Sequence, residues 1–146
     1  MLVVVLATFI GSAGVSQGFV RSIGLRVVLP WTGLPFLIGA EATTELAFGL
    51  GFASFFLTTD GRVLFTIGAD VRLTETESRA VTYLRLTTGL FYFDPIAFSP
   101  KLLGGVGLAY EFHVLEPILF SFAAEFLYPL ALPIPMFSTS AGWLLP

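Results

Sequence analysis

The chain has 146 residues, 55% of them hydrophobic and 12% charged, with a mean hydropathy of +0.89. A soluble domain carries about 25% charged residues, and one domain of this size cannot hide so much apolar surface from water, so either part of its solvent is lipid or it oligomerises heavily. The lack of Cys excludes disulfides and thiolate metal sites, a lone His113 excludes a multi-histidine site within one chain, and seven basic residues scattered singly in a chain of net charge −3 leave no basic stripe for nucleic acid.

The chain opens on "LVVVLATFI" (2–10) followed by the small residues of "GSAGVSQG". That pattern matches the apolar and cleavage regions of a secretory signal peptide, although the usual basic start is missing. The apolar run is too short for a membrane-spanning helix, which needs about 20 residues. Residues 1–17 are therefore expected to be a signal peptide cleaved between Ala13 and Gln17, and 18–146 a single β-barrel domain.

After residue 18 the hydrophobic period is two. Ile23, Leu25, Val27 and Leu29 oppose Ser22, Gly24 and Arg26. From Val63 to Thr74, Val63, Phe65, Ile67, Ala69 and Val71 share one face, while Thr66, Gly68, Asp70 and Arg72 share the other. The split returns at Leu84 and Leu86 against Arg85 and Thr87, at Tyr110 and Phe112 against Glu111 and His113, and at Phe122 and Phe126 against Ser121 and Glu125. Such alternation marks strands whose two faces meet different surroundings. Turn-like segments at 30–35, 58–61, 74–78, 94–101, 115–117 and 129–135 separate the runs. With a further break at "TTE" (43–45), eight strands are expected near 19–29, 35–42, 46–57, 62–73, 80–93, 102–114, 118–128 and 136–145.

In these strands the bulky face is apolar, and the other is small with about one charge per strand. A soluble barrel would need its water-facing side rich in Lys, Glu, Gln and Asn, which is absent here. The inverted arrangement fits: bulky residues meet lipid, while small residues and a few charges fill a narrow interior. An eight-stranded barrel is just wide enough to be filled by side chains, and closure pairs every backbone amide, as hydrocarbon requires. Gly39, Gly49, Gly51, Gly68, Gly89, Gly105 and Gly107 are expected inside, where space is short. Trp31, Phe36, Phe56, Tyr92, Phe93, Tyr128 and Trp143 are placed near strand ends, as interfacial girdles require. The expected interior polar network is Arg26, Glu41, Asp70, Arg72, Arg85, Glu111, His113 and Glu125. Three Arg against four carboxylates is close to balance, and the groups should pair, since isolated charges there would be costly.

The fold class is thus all-β, an antiparallel up-and-down eight-stranded transmembrane β-barrel after a signal-like segment. As a pattern over residues 19–146, it resembles the small eight-stranded outer-membrane barrels of bacteria, the OmpA- and OmpX-type transmembrane domains. The resemblance implies export to the bacterial outer membrane. It departs at the C-terminus, "SAGWLLP", where such barrels usually end in an aromatic residue.

Three functions compete. The first is a non-enzymatic barrel with a charge-plugged interior and a structural, adhesive or scaffold role, monomeric, surrounded by membrane lipids and open to an envelope protein partner. The second is a narrow pore or conduit for small or hydrophobic molecules. The third is a lipid-acting enzyme using His113 with Glu111 and Ser121, opposed by their interior placement. Turn acids such as Glu45, Glu75 and Glu77 read as solvated, and no cofactor or phosphate-loop pattern occurs.

Overall fold

The computed structural model describes residues 20–30, 36–74, 79–92, 100–128 and 134–146. The expected signal segment lies outside them. Eight strands follow in order: β1 (Ser22–Pro30), β2 (Leu37–Leu46), β3 (Gly49–Thr58), β4 (Val63–Arg72), β5 (Ala80–Tyr92), β6 (Pro100–Leu115), β7 (Ile118–Tyr128) and β8 (Ile134–Leu144). Each pairs antiparallel with its neighbour, and β1 pairs with β8 from Ser22↔Leu144 to Pro30↔Met136, closing an up-and-down barrel. Closure leaves no sheet edge, so alternation alone sorts side chains between lumen and exterior.

At the near end, where β1 begins, β2 turns into β3 through Ala47–Phe48 and β6 into β7 through Glu116–Pro117. β3 turns into β4 through 59–62 at the opposite, far end, where β1, β5 and β7 finish. There Asp60 accepts a hydrogen bond from the Thr58 hydroxyl and pairs with Arg62 at 3.0 Å. The Thr58 hydrogen bond, aided by Arg62, holds the Asp60 carboxyl below the usual aspartate range.

The break expected at 43–45 falls later. β2 continues to Leu46, because the Thr43 hydroxyl points inward onto Ser22, so a polar run that resembled a turn is the lumenal side of a strand. Gly49 opens β3 after the actual turn with a φ of 156°, and a Cβ there would lie 1.9 Å from the Asp70 carbonyl oxygen of β4.

The lipid-out assignment describes most strands. Leu86 is 45% exposed, whereas its chain neighbour Arg85 is 3% exposed. Among the described residues, no outward-facing strand position carries a charge. β3 is the correction. Leu50, Phe52 and Phe56 are buried inside the barrel, so Gly49 and Gly51 lie on the outer face and Phe56 belongs to no girdle. Two cross-strand glycines make room for these rings. Gly39 of β2 is the register partner of Phe56, and Gly68 of β4 that of Phe52. A Cβ on either glycine would come within 2.6 Å of the ring opposite. Phe36, Tyr128 and Trp143 are exposed as expected. Trp31, Phe93 and the Tyr92 side chain lie outside what is described.

The interior is layered. Val28, Leu37, Phe56, Leu64, Leu103, Leu127 and Met136 form an apolar layer toward the far end. Leu50, Val81, Tyr83, Ala109 and Ala123 form a second apolar group toward the near end. The buried charges lie between and beside them.

Candidate functional site

The middle of the lumen is built from one charged side chain on each of five strands. Arg26 of β1 donates through Nη1 to Glu41 of β2, and through Nη2 to Glu125 Oε1 of β7 at 3.0 Å. Its Nε donates to the Ser138 hydroxyl of β8 at 3.0 Å. Glu41 Oε2 also accepts from Ser54 Oγ at 2.9 Å, its register partner on β3. Asp70 of β4 and Arg85 of β5 are direct register partners too. They form a two-pronged pair, Nε to Oδ1 at 2.7 Å and Nη2 to Oδ2 at 2.6 Å. Planar guanidinium and carboxylate forks match in this way, which suits Arg rather than Lys to a confined lumen.

The two halves meet at Arg85 Nη1, which lies 3.5 Å from both Glu41 Oε2 and Glu125 Oε1. That nitrogen is buried and is the one such side-chain atom without a hydrogen-bond partner among the described residues. The guanidinium also stands 4.3 Å from the centroid of Phe52, so an inward ring of β3 helps to hold it. Thr87 Oγ1 lies 2.9 Å from Glu125 Oε2.

A second group occupies the near end. Arg21, just before β1, reaches Glu111 of β6 through Nη1 at 2.9 Å and Nη2 at 2.6 Å. His113 Nε2 is 3.1 Å from Glu111 Oε1 and 3.5 Å from Arg21 Nη2. Arg21 is the functional residue that alternation misses, because it precedes the strand and a charge there reads as solvated. Arg72 departs in the opposite sense: as the last residue of β4 it is exposed and hydrogen-bonds Tyr83, away from the central cluster. Alternation gives its face but not its depth. The structure therefore brings Arg26, Glu41, Asp70, Arg85 and Glu125 together, and places Glu111 and His113 in the separate near-end group.

Ser121 is hydrogen-bonded to Ser140 at 2.6 Å, and His113 is engaged by Glu111. The nucleophile–base pair that a hydrolase needs is not assembled among the described residues. No group of three or more metal-ligating side chains occurs among them either.

Two of the small cavities in the lumen are bordered by described residues. One is bordered by Ser22, Glu41, Thr43, Asp70, Arg85 and Glu111, the other by Arg26, Phe52, Thr87 and Glu125. Each is about 20 Å³, room for about one water.

No protein-family model matches the chain, and no curated protein does. Solved structures do. The N-terminal β-barrel domain of Pseudomonas aeruginosa OprF is similar at a TM-score of 0.68 and 14% identity, covering 88% of this chain and 98% of that one. A structure from the de novo design of transmembrane β-barrels gives 0.59 and 9%, covering 86% and 96%. Neisserial surface protein A gives 0.51 and 15%, covering 86% and 95%. The fold is that of a small transmembrane β-barrel. At these identities the likeness is one of fold, the level at which the sequence pattern resembles small outer-membrane barrels.

Proposed function

We propose that the chain is an integral outer-membrane barrel with a structural, adhesive or scaffold role and a lumen closed by its own side chains. The observation that carries this reading is the filled interior. The five-strand charge cluster crosses the middle, an apolar layer of seven side chains lies beyond it toward the far end, and the two cavities beside the cluster each have room for about one water. Membrane lipids are its surroundings, and the uncharged outer face needs no second copy to cover it. Export through the N-terminal segment, a monomeric state, the absence of nucleic-acid and enzymatic activity and a protein partner in the envelope belong to the same reading. Short turns at Ala47–Phe48 and Glu116–Pro117 support a periplasmic near end, since such barrels carry their short turns on that side.

The test has two steps. Expressed in a didermic bacterium, the protein is expected in the outer-membrane fraction, migrating faster on SDS gels unboiled than boiled. Purified and inserted into planar bilayers, it is expected to give no stepwise conductance. Discrete channels would replace this reading with the narrow pore.

A further inference from the structure

The described turns at the two ends of the barrel differ in chemistry. At the far end, β3 passes into β4 through Thr59, Asp60 and Gly61, all exposed, with Arg62 paired to Asp60 at 3.0 Å. Such a turn suits water. At the near end the β2–β3 turn reads Leu46-Ala47-Phe48, and the β6–β7 turn Leu115-Glu116-Pro117. Phe48 is 53% exposed and Leu115 70% exposed. Leu46, Leu73, Val114 and Leu145 are exposed at the same end. Large apolar side chains at a turn tip cost free energy in water in proportion to their area, so this rim calls for another environment.

The rim is two-sided. At three strand ends a polar residue of lumenal parity is followed directly by an apolar one of outward parity: Glu45 by Leu46, Arg72 by Leu73 and His113 by Val114. Glu45 pairs with Arg21, and His113 contacts Glu111, inside the mouth. The apolar members prolong the lipid-facing series of their own strands, as Leu46 does for Ile38, Ala40, Ala42 and Thr44. The rim is therefore continuous with the uncharged outer face. Its turns are also tied down. The Phe48 carbonyl accepts from the Arg72 N–H at 2.9 Å, and the Pro117 carbonyl from the Leu144 N–H at 2.8 Å. Backbone groups paired in this way depend less on water, as entry into a membrane requires. Trp143 marks the level. It is exposed and is the register partner of Ile118, the first residue after the β6–β7 turn, and aromatic girdles of membrane barrels lie at the interface. Glu116, exposed at that turn, reaches water from the headgroup layer.

We propose that the near rim is a membrane-binding surface: Phe48 and Leu115, flanked by Leu46, Leu73, Val114 and Leu145, seat in the headgroup layer while the charged mouth opens to water at their centre. The far turn at Asp60 stands in water. Lipid is the occupant because the rim prolongs a face that lipid already covers. The inference rests on the reading of the chain as a membrane barrel and extends it from the strands to the turns.

The chain has no Cys, so a single introduced thiol takes a spin label without further change. Phe48→Cys, Leu115→Cys and, as the far-turn reference, Thr59→Cys are labelled, refolded into phosphatidylcholine vesicles and checked by the shift between boiled and unboiled gels. Paramagnetic resonance then compares collisions with oxygen, which concentrates in lipid, against collisions with a water-soluble nickel chelate. The oxygen-to-nickel ratio at Phe48→Cys and Leu115→Cys is expected to exceed that at Thr59→Cys several-fold. Two near-end reporters are used, so that failure of one to fold leaves the other to decide. A ratio as low as that of Thr59→Cys at a near-end position, in a gel-shifting barrel, overturns the membrane-seated rim, leaves the barrel standing and gives the apolar turns to a protein partner. A wild type that shows no gel shift in any detergent overturns both.

Discussion

Arg26 makes contacts to three other strands through one planar group: Glu41 on β2, Glu125 on β7 and Ser138 on β8. Removing it strands two buried glutamates, and breaking a buried pair from one side costs about 3–5 kcal/mol. Arg26→Met is therefore expected to lower the unfolding free energy by about that amount in urea titrations. Adding Glu41→Gln to Arg26→Met should recover part of the loss, since one orphaned charge goes with it. The members of this cluster were legible in the sequence because each is one of only one or two charges in an otherwise apolar strand, and parity gives its face. Depth was not legible. Arg72 has the parity of Asp70 but sits two residues closer to the barrel mouth, and Arg21 pairs with Glu111 across ninety positions of sequence.

β3 shows what parity cannot decide. "GLGFASFFLT" is apolar or small on both faces, so neither face announces itself. Only the strands on either side settle the matter, through Gly39 opposite Phe56 and Gly68 opposite Phe52. Read together with its neighbours, the pairing of a ring with a cross-strand glycine was the available signal. The seven other strands carry either a charge or a small-residue face on one side, and their orientation was readable one strand at a time. Gly49 and Gly51 both face outward, yet they differ in space. At Gly49 a Cβ would strike the Asp70 carbonyl, whereas at Gly51 it would meet side-chain methyls of Thr44 and Leu46 no closer than 3.0 Å. Gly49→Ala is expected to destabilise by about 1–3 kcal/mol, the usual range for overpacking, and Gly51→Ala to stay within about 0.5 kcal/mol of wild type. Urea midpoints of the two variants, refolded side by side, check the contrast.

At the scale of the molecule, an uncharged outer face makes the cost of a charge depend on depth. Leu86 is mid-strand on β5, whereas Leu102 lies near the far end of β6, and both point outward. In lipid vesicles Leu86→Arg should cost about 2–4 kcal/mol and Leu102→Arg about 0–1 kcal/mol. Equal costs in urea unfolding would contradict a bilayer centred on the middle of the strands.

The interior charges also bear on the chain before any barrel exists. Unfolded, it meets lipid as a string of segments, and a segment of about 20 apolar residues would settle there as a helix. Between Arg26 and Glu125 the longest uncharged stretches, 27–40 and 46–59, stop short of that length. Arg26 and Glu41, which bound the first of these stretches, thus act as punctuation in transit, keeping β1 and β2 from being taken together for a helix, and only afterwards as partners. A chain stripped of them could fail on the route to its membrane with every strand still able to pair.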